Sequence, residues 1–289
     1  MNSIKKGVLY EVFSYAFWGL TPLYWRLMTF TSPRRILGFR ITFALFFTAL
    51  VLFILGNKSW LLLLIDPKKR LITILSGLAI SVNWGLYIWA VNSGYTIEAS
   101  LGYYINPLIS VMLALIILQE RLKVLQWIAF GFAALGVLLV TIFSGVFPWV
   151  SLVLALTFGF YGLIKKKNKS GSMEALGAET LAVLPLGLGL LFFQPAELLL
   201  FTPLQWPLLV SAGFITALPL YTFAKGAKLL PLSALGFLQF ISPTILFFLG
   251  VFAFGEEFPL KKLWAFGCIW IAVGLYCISL GKAKNTKPA

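Results

Sequence analysis

Apolar runs of roughly 20 residues recur from one end of this chain to the other, and no other feature limits its fold so tightly. That is the length an α-helix needs to cross a bilayer. In lipid every backbone N–H and C=O must be satisfied within the chain, which leaves helices or closed barrels. Strands of a barrel would be about 10 residues long with strict alternation, and no such segments are present. Ten runs are read, over 7–28, 35–56, 71–93, 97–118, 124–143, 146–164, 175–194, 205–224, 230–254 and 260–281. The predicted fold class is an all-α polytopic membrane protein with ten transmembrane helices. Composition agrees: 60% of the residues are hydrophobic and 11% are charged, against about 25% charged in a soluble domain. The breaks, such as "TSPRR", "DPKKR", "QERLK" and "KKKNKSGS", are too short to hold a soluble domain.

The net charge of +14 is not gathered into one patch, which argues against nucleic acid as a partner. The basic residues sit between the apolar runs. With the N-terminus in the cytoplasm, 17 fall on inner segments and 6 on outer ones, the latter being Arg26, Arg34, Arg35, Arg40, Lys261 and Lys262. The positive-inside rule then puts both termini in the cytoplasm and the chain in the cytoplasmic membrane. Lys5 and Lys6 ahead of the first run resemble a signal peptide, but Tyr10, Glu11, Tyr15 and Trp18 inside that run predict a retained helix.

Chemistry-bearing clusters are sparse. The chain has no histidine, and its nine acids sit mostly at run ends. Cys268 and Cys277 lie in one run and suggest neither a disulfide framework nor a metal site. The nucleotide motifs GxGxxG and GxxxxGK[ST] are absent. No cofactor, no metal and no enzyme activity are expected, with a membrane-embedded transferase as the alternative outside transport.

The second half repeats the first. "YIWA" at 87–90 returns as "YTFA" at 221–224, and "INPLISVMLALIILQE" returns as "ISPTILFFLGVFAFGE", aligning Pro107 with Pro243, Glu120 with Glu256 and Gly131 with Gly267. Runs three to five therefore match runs eight to ten. A repeat of five helices is odd, so residues 1–145 and 146–289 would enter the membrane in opposite directions, as in secondary transporters. Pro107 and Pro243 lie near mid-bilayer. Each ring removes a donor and frees the carbonyl four residues back, those of Tyr103 and Gln239. Such a carbonyl becomes an acceptor in a wet cavity, or else marks a kink satisfied by a neighbouring helix.

Polar and aromatic side chains line up on several runs: Glu11, Ser14, Trp18, Thr21 and Trp25 on the first, Trp25 having the interfacial belt as its alternative; Asn83, Trp84 and Tyr87 on the third; Tyr103, Asn106 and Ser110 on the fourth; Tyr161 on the sixth; Tyr221 on the eighth; Gln239 and Ser242 on the ninth. Together they can wall a central cavity for a flat or amphipathic small-molecule solute. Trp18, Asn83, Trp84, Tyr87, Tyr103, Asn106, Tyr161, Tyr221, Gln239 and Ser242 are the expected solute-binding residues. Asn and Ser also serve as plain bridges between helices. Glu11 is a candidate for proton coupling; snorkelling to the cytoplasmic surface is its alternative. Glu98 caps the fourth helix in this reading. Ala129 with Ala133, and Gly267 with Gly274 and Gly281, offer small-residue faces for packing or a homodimer.

"FWGLTPLYWRL" at 17–27, "NWGLYIWAVNSG" at 83–94, "EASLGYYINPL" at 98–108, "QERLKVLQWIA" and "FLQFISPTILFFLG" together make the chain resemble the drug/metabolite transporter superfamily, and within it the EamA-type, RarD-like permeases. The resemblance covers essentially the whole chain. It implies ten helices in an inverted repeat, a central cavity and alternating access; some relatives export amino acids or aromatic metabolites. The second helix of the group typically opens with a glutamate and a histidine flanking "ILA" before an arginine. Here "RRILGFRI" has Arg35 and Phe39 at those places and keeps Arg40. Coupling through histidine is therefore excluded for this chain, which carries none.

Overall fold

The computed structural model describes residues 3–92, 95–145, 147–193, 195–253 and 261–282. Among them the regular structure is helical: α1 (Ser3–Trp25), α2 (Pro33–Ile54), α3 (Ser59–Ile65), α4 (Pro67–Asn92), α5 (Thr96–Ile116), α6 (Val124–Ser144), α7 (Trp149–Lys167), α8 (Ser172–Ala182), α9 (Leu184–Phe192), α10 (Gln205–Leu229), α11 (Leu232–Gln239), α12 (Ile241–Phe248) and α13 (Lys261–Lys282). Among the described residues each of the ten apolar runs is mainly helical, and the short α3 and a 3-10 segment at Pro195–Leu200 lie outside them.

Local chemistry sets the helix ends. Pro33 opens α2 at a position whose N–H would be unpaired anyway. Asp66 Oδ1 accepts from the backbone N–H of Lys68 at 3.0 Å and caps the start of α4. Gly145 takes φ 68° and ends α6 in the left-handed conformation that a side chain would disfavour.

By length and composition five helical stretches among the described residues can cross a membrane: Pro33–Ile54, Val124–Phe143, Trp149–Lys167, Gln205–Leu229 and Leu232–Ala253. A sixth is the pair α8–α9, bent by 46°. Pro185 near the start of α9 accounts for that bend, because its ring cannot donate and crowds the carbonyl of Leu181. The perimeter is apolar, with Leu9, Phe13, Phe46, Phe53, Leu138 and Ile271 all exposed. A surface of that kind belongs in lipid, and the protein is a multi-pass membrane protein.

The helices pair in a definite pattern. α1 lies along α10, and α4 along α7. α1 also packs on α12, and α5 on α7; α2 packs on α10, and α4 on α8. α2 meets α9, α5 crosses α11, and α6 runs against α13.

Glycines sit where backbones touch. A Cβ at Gly213 of α10 would lie 2.2 Å from the carbonyl carbon of Phe43, and one at Gly77 of α4 would lie 2.9 Å from the carbonyl oxygen of Glu179. A Cβ at Gly19 of α1 would meet Ile245 at 2.8 Å, and one at Gly159 of α7 would meet Ile109 at 3.0 Å. Gly77 and Gly213, Phe43 and Glu179, Ile109 and Ile245, and Pro107 and Pro243 are all 136 positions apart.

The two prolines singled out by sequence behave differently. α5 runs unbroken through Pro107, whose carbonyl oxygen would be 2.7 Å from a Cβ on Gly236 of α11. The ninth run instead breaks at Phe240, between α11 and α12, three residues before Pro243. Of the small residues, Ala129 and Ala133 are buried, and Gly136 faces Ala265 of α13, whereas Gly267 and Gly274 face open space. Glu256 and the side chain of Glu98 lie outside the described residues.

Candidate functional site

The site is built on α1, the helix the sequence reading gave a polar stripe. Glu11 on its inward face is fully buried and reaches neither surface, so snorkelling does not describe it. Gly226 of α10 makes room for it: an added Cβ there would lie 2.3 Å from Glu11 Oε1. Neither carboxyl oxygen has a hydrogen-bond partner of good geometry, nor does the Tyr15 hydroxyl, its close electrostatic neighbour. One turn on, Ser14 Oγ meets Thr222 Oγ1 of α10 at 2.7 Å. Ser242 Oγ donates to the carbonyl of Tyr15 at 2.6 Å and ties α12 to α1. Tyr221 lies towards the end of α10, with Lys225 Nζ 4.5 Å from its ring centroid and 5.3 Å from that of Tyr10.

Above Glu11 the bundle is filled by rings. Trp18 meets Phe158 at 5.7 Å and Phe223 at 5.8 Å between centroids, and Tyr161 stacks on Phe223 at 5.9 Å. Tyr15 joins them at 5.8 Å from Trp18. Trp18 and Tyr161 are thus brought together; both tyrosines are fully buried, Tyr15 with its hydroxyl beside Glu11 and Tyr161 with a hydroxyl that makes no hydrogen bond to a described residue.

A second group forms towards the end where α1 closes and α2 opens. Trp84 of α4 and Trp25 of α1 both lie beside the guanidinium of Arg40, with Cζ 4.4 and 4.8 Å from the ring centroids. Arg40 Nε donates to Thr216 Oγ1 of α10 at 3.0 Å. Tyr87 and Tyr103 meet edge to face at 5.7 Å, and both lie within electrostatic reach of the guanidinium. Trp84, Tyr87 and Tyr103 therefore converge on Arg40, a residue the sequence reading assigned to an outer segment. Arg40 is no loop charge: it sits seven residues inside α2.

Of the remaining candidates, Asn83 spends its amide on α7, donating to the Leu154 carbonyl at 2.8 Å and to Thr157 Oγ1 at 2.9 Å. Asn106 is buried beside the α5–α11 crossing with its Oδ1 unpartnered. Gln239 is buried at the end of α11. Beyond Arg40, Thr29, Phe30, Thr31, Ser32, Arg35, Leu200, Phe201 and Gln205 line an open pocket of about 270 Å³.

The opposite end is sealed by polar contacts. Lys165 of α7 pairs with Glu179 of α8 at 2.5 Å, both buried. Glu120 caps α11, accepting from the backbone N–H of Leu232 at 2.7 Å and from the Ser233 N–H and hydroxyl at 3.1 and 2.7 Å. Lys228 Nζ donates to the Ser170 carbonyl. No group of histidine, cysteine or acid residues among the described residues could hold a metal.

Sequence reasoning missed Arg40, Thr216, Phe158, Phe223 and Gly226. An arginine inside an apolar run is itself a functional signal in membranes. The others look like ordinary helix residues until the helices are packed.

With this geometry in view, similarity to known proteins becomes informative. Residues 5–142 match the EamA-like transporter family. The uncharacterized transporter YojE of Bacillus subtilis is 44% identical over 97% of this chain and 96% of its own length. Protein RarD of Streptomyces exfoliatus is 40% identical over 94% and 88%, and protein RarD of Escherichia coli 37% over 94% of each. A solved crystal structure of a protein 19% identical aligns over 93% of this chain and 96% of its own with a TM-score of 0.71, which shows a shared fold. The chain belongs to the drug/metabolite transporter superfamily, as an EamA-type, RarD-like permease, and is a membrane transporter.

Proposed function

We propose that the protein is a secondary transporter that moves a small amphipathic organic solute across the cytoplasmic membrane by alternating access, with ten spans in two oppositely inserted halves. The observation that carries this reading is the pairing pattern. Exchanging each of the first five runs with the run five later turns α1–α10 into α7–α4, α1–α12 into α7–α5, and α2–α10 into α8–α4, and it leaves α2–α9, α5–α11 and α6–α13 as they are. The constant spacing of 136 residues between contact positions supports the same twofold relation. By that spacing Tyr87 corresponds to Phe223 rather than to Tyr221. Gly19 and Gly159 extend the relation to the first and sixth runs at a spacing of 140, each following an aromatic ring, Trp18 and Phe158. Halves related in this way can rock about a midplane site.

The solute site in this reading lies between the aromatic plug and the open pocket, walled by Trp18, Trp84, Tyr87 and Tyr103, with Asn106 Oδ1 as a free acceptor. Glu11 is proposed to couple proton movement, since a buried carboxyl with no cation among the described residues beside it and only the Tyr15 hydroxyl as a close polar neighbour is poised to bind and release a proton. Both termini are placed in the cytoplasm by the charge distribution.

The test is solute counterflow in proteoliposomes holding the purified protein, preloaded with a metabolite panel. Wild type should exchange at least one solute without modifying it, and a modified product would point to an enzyme. Glu11→Gln should abolish pH-driven accumulation while sparing exchange. An unchanged pH response in that variant refutes the coupling role.

A further inference from the structure

Arg40 holds a fixed positive charge about 10 Å along α2 from its first residue. Taking a guanidinium out of water costs several kcal/mol. Within the protein the compensation is partial. Two cation–π contacts, to Trp25 and Trp84, contribute on the order of 0.5–2 kcal/mol each. One hydrogen bond runs to Thr216. No carboxylate among the described residues lies within ion-pair distance. A guanidinium has five N–H donors in a planar fork. Thr216 takes the Nε–H; the two terminal amino groups donate to no described residue and are not sealed off, Arg40 being partly exposed. The unused part of the fork is the part that binds a carboxylate through two parallel bonds. Around it stand four aromatic rings from α1, α4 and α5, which offer flat apolar surface.

We infer that Arg40, with Trp25, Trp84, Tyr87 and Tyr103 around it, recognises a carboxylate borne on an aromatic or similarly flat apolar body, so that the transported solute is an organic monoanion. This rests on the transporter reading and names the solute class for it. An anionic lipid headgroup shares the charge but not the flat body that the rings would cover.

The experiment uses the full chain purified in detergent. Phenylacetate, cinnamate and indole-3-acetate are each compared with their neutral amides, and with phosphatidylglycerol as the lipid arm, by the rise in melting temperature and by calorimetric titration. The acids should stabilise the protein and the amides should not. Arg40→Gln should remove the effect. Arg40→Lys should weaken acid binding by about tenfold or more, because an ammonium keeps the charge and loses the fork. If Arg40→Gln fails to fold, Arg40→Lys carries the comparison. The assignment is overturned by equal effects of acids and amides, by acid binding that survives in either variant at wild-type strength, by no response to any acid, or by a response to phosphatidylglycerol alone. Proteoliposome exchange separates the two readings. Acids that bind through Arg40 but are never exchanged would sink the transporter mechanism and leave the site. Neutral or cationic solutes exchanged at the wild-type rate by Arg40→Gln would sink the site and leave the mechanism.

Discussion

Residue by residue, the bundle depends on where a methyl group can be added. Gly213→Ala would drive a Cβ to 2.2 Å from backbone of α2, and backbone cannot step aside. Gly226→Ala meets the Glu11 side chain from Cγ to Oε1, which has rotatable bonds where backbone has none to spare. Gly267→Ala and Gly274→Ala point into open space, where alanine is the better helix former by about 1 kcal/mol. Melting temperatures should therefore fall steeply for the first, slightly for the second, and hold or rise for the last two. A tolerated Gly213→Ala would contradict the α2–α10 contact. Glu120 is a second residue-scale case, since it serves three donors at the start of α11. Glu120→Ala should cost about 1 kcal/mol or more, and Glu120→Gln less, because one amide oxygen can still accept. Chemical unfolding of the purified variants reads that order.

Between elements, the clearest test is the buried pair that joins α7 to α8. Lys165 and Glu179 are 1% and 3% exposed, so removing one partner strands a charge. Glu179→Gln should destabilise by about 3–5 kcal/mol, while Lys165→Met with Glu179→Leu should recover most of that loss. A double variant as unstable as the single one would mean that the ions matter beyond each other. The prolines separate in the same way. Pro243 stands just past the α11–α12 break, and Pro243→Ala should join the two helices, keep or raise the melting temperature, and slow solute exchange. Pro107 lies in unbroken α5, so Pro107→Ala should change exchange less. Equal loss of exchange in both variants would favour the symmetric pair of wet carbonyls read from the sequence.

For the molecule as a whole, topology is the quantity to measure. In a background with Cys268→Ala and Cys277→Ser, a cysteine at Lys167 should react with an impermeant maleimide only from the cytoplasmic side, and one at Gly145 only from outside. Reaction of the Lys167 position from outside would break the ten-span arrangement.

Most helices and their places follow from consecutive residues alone, although the runs 175–194 and 230–254 each break into two helices and α3 lies in none. The run read at 124–143 is α6 at Val124–Ser144, and the run at 205–224 is α10 at Gln205–Leu229, because spanning length and hydropathy are local properties of consecutive residues. Half of the proposed repeat left a trace in the sequence as well, in matched prolines and glycines. The packing partners left none. Arg40 counted as an outer charge because a charge tally cannot register rings arriving from α1, α4 and α5, or a threonine 176 positions away on α10. Gly226 gives no sign of Glu11, and the match of "YIWA" with "YTFA" is two residues off the spacing at which the backbones meet. Helix packing settles these points, because in lipid the fold is chosen by which helix faces fit closely, and closeness is a relation between residues far apart in the chain.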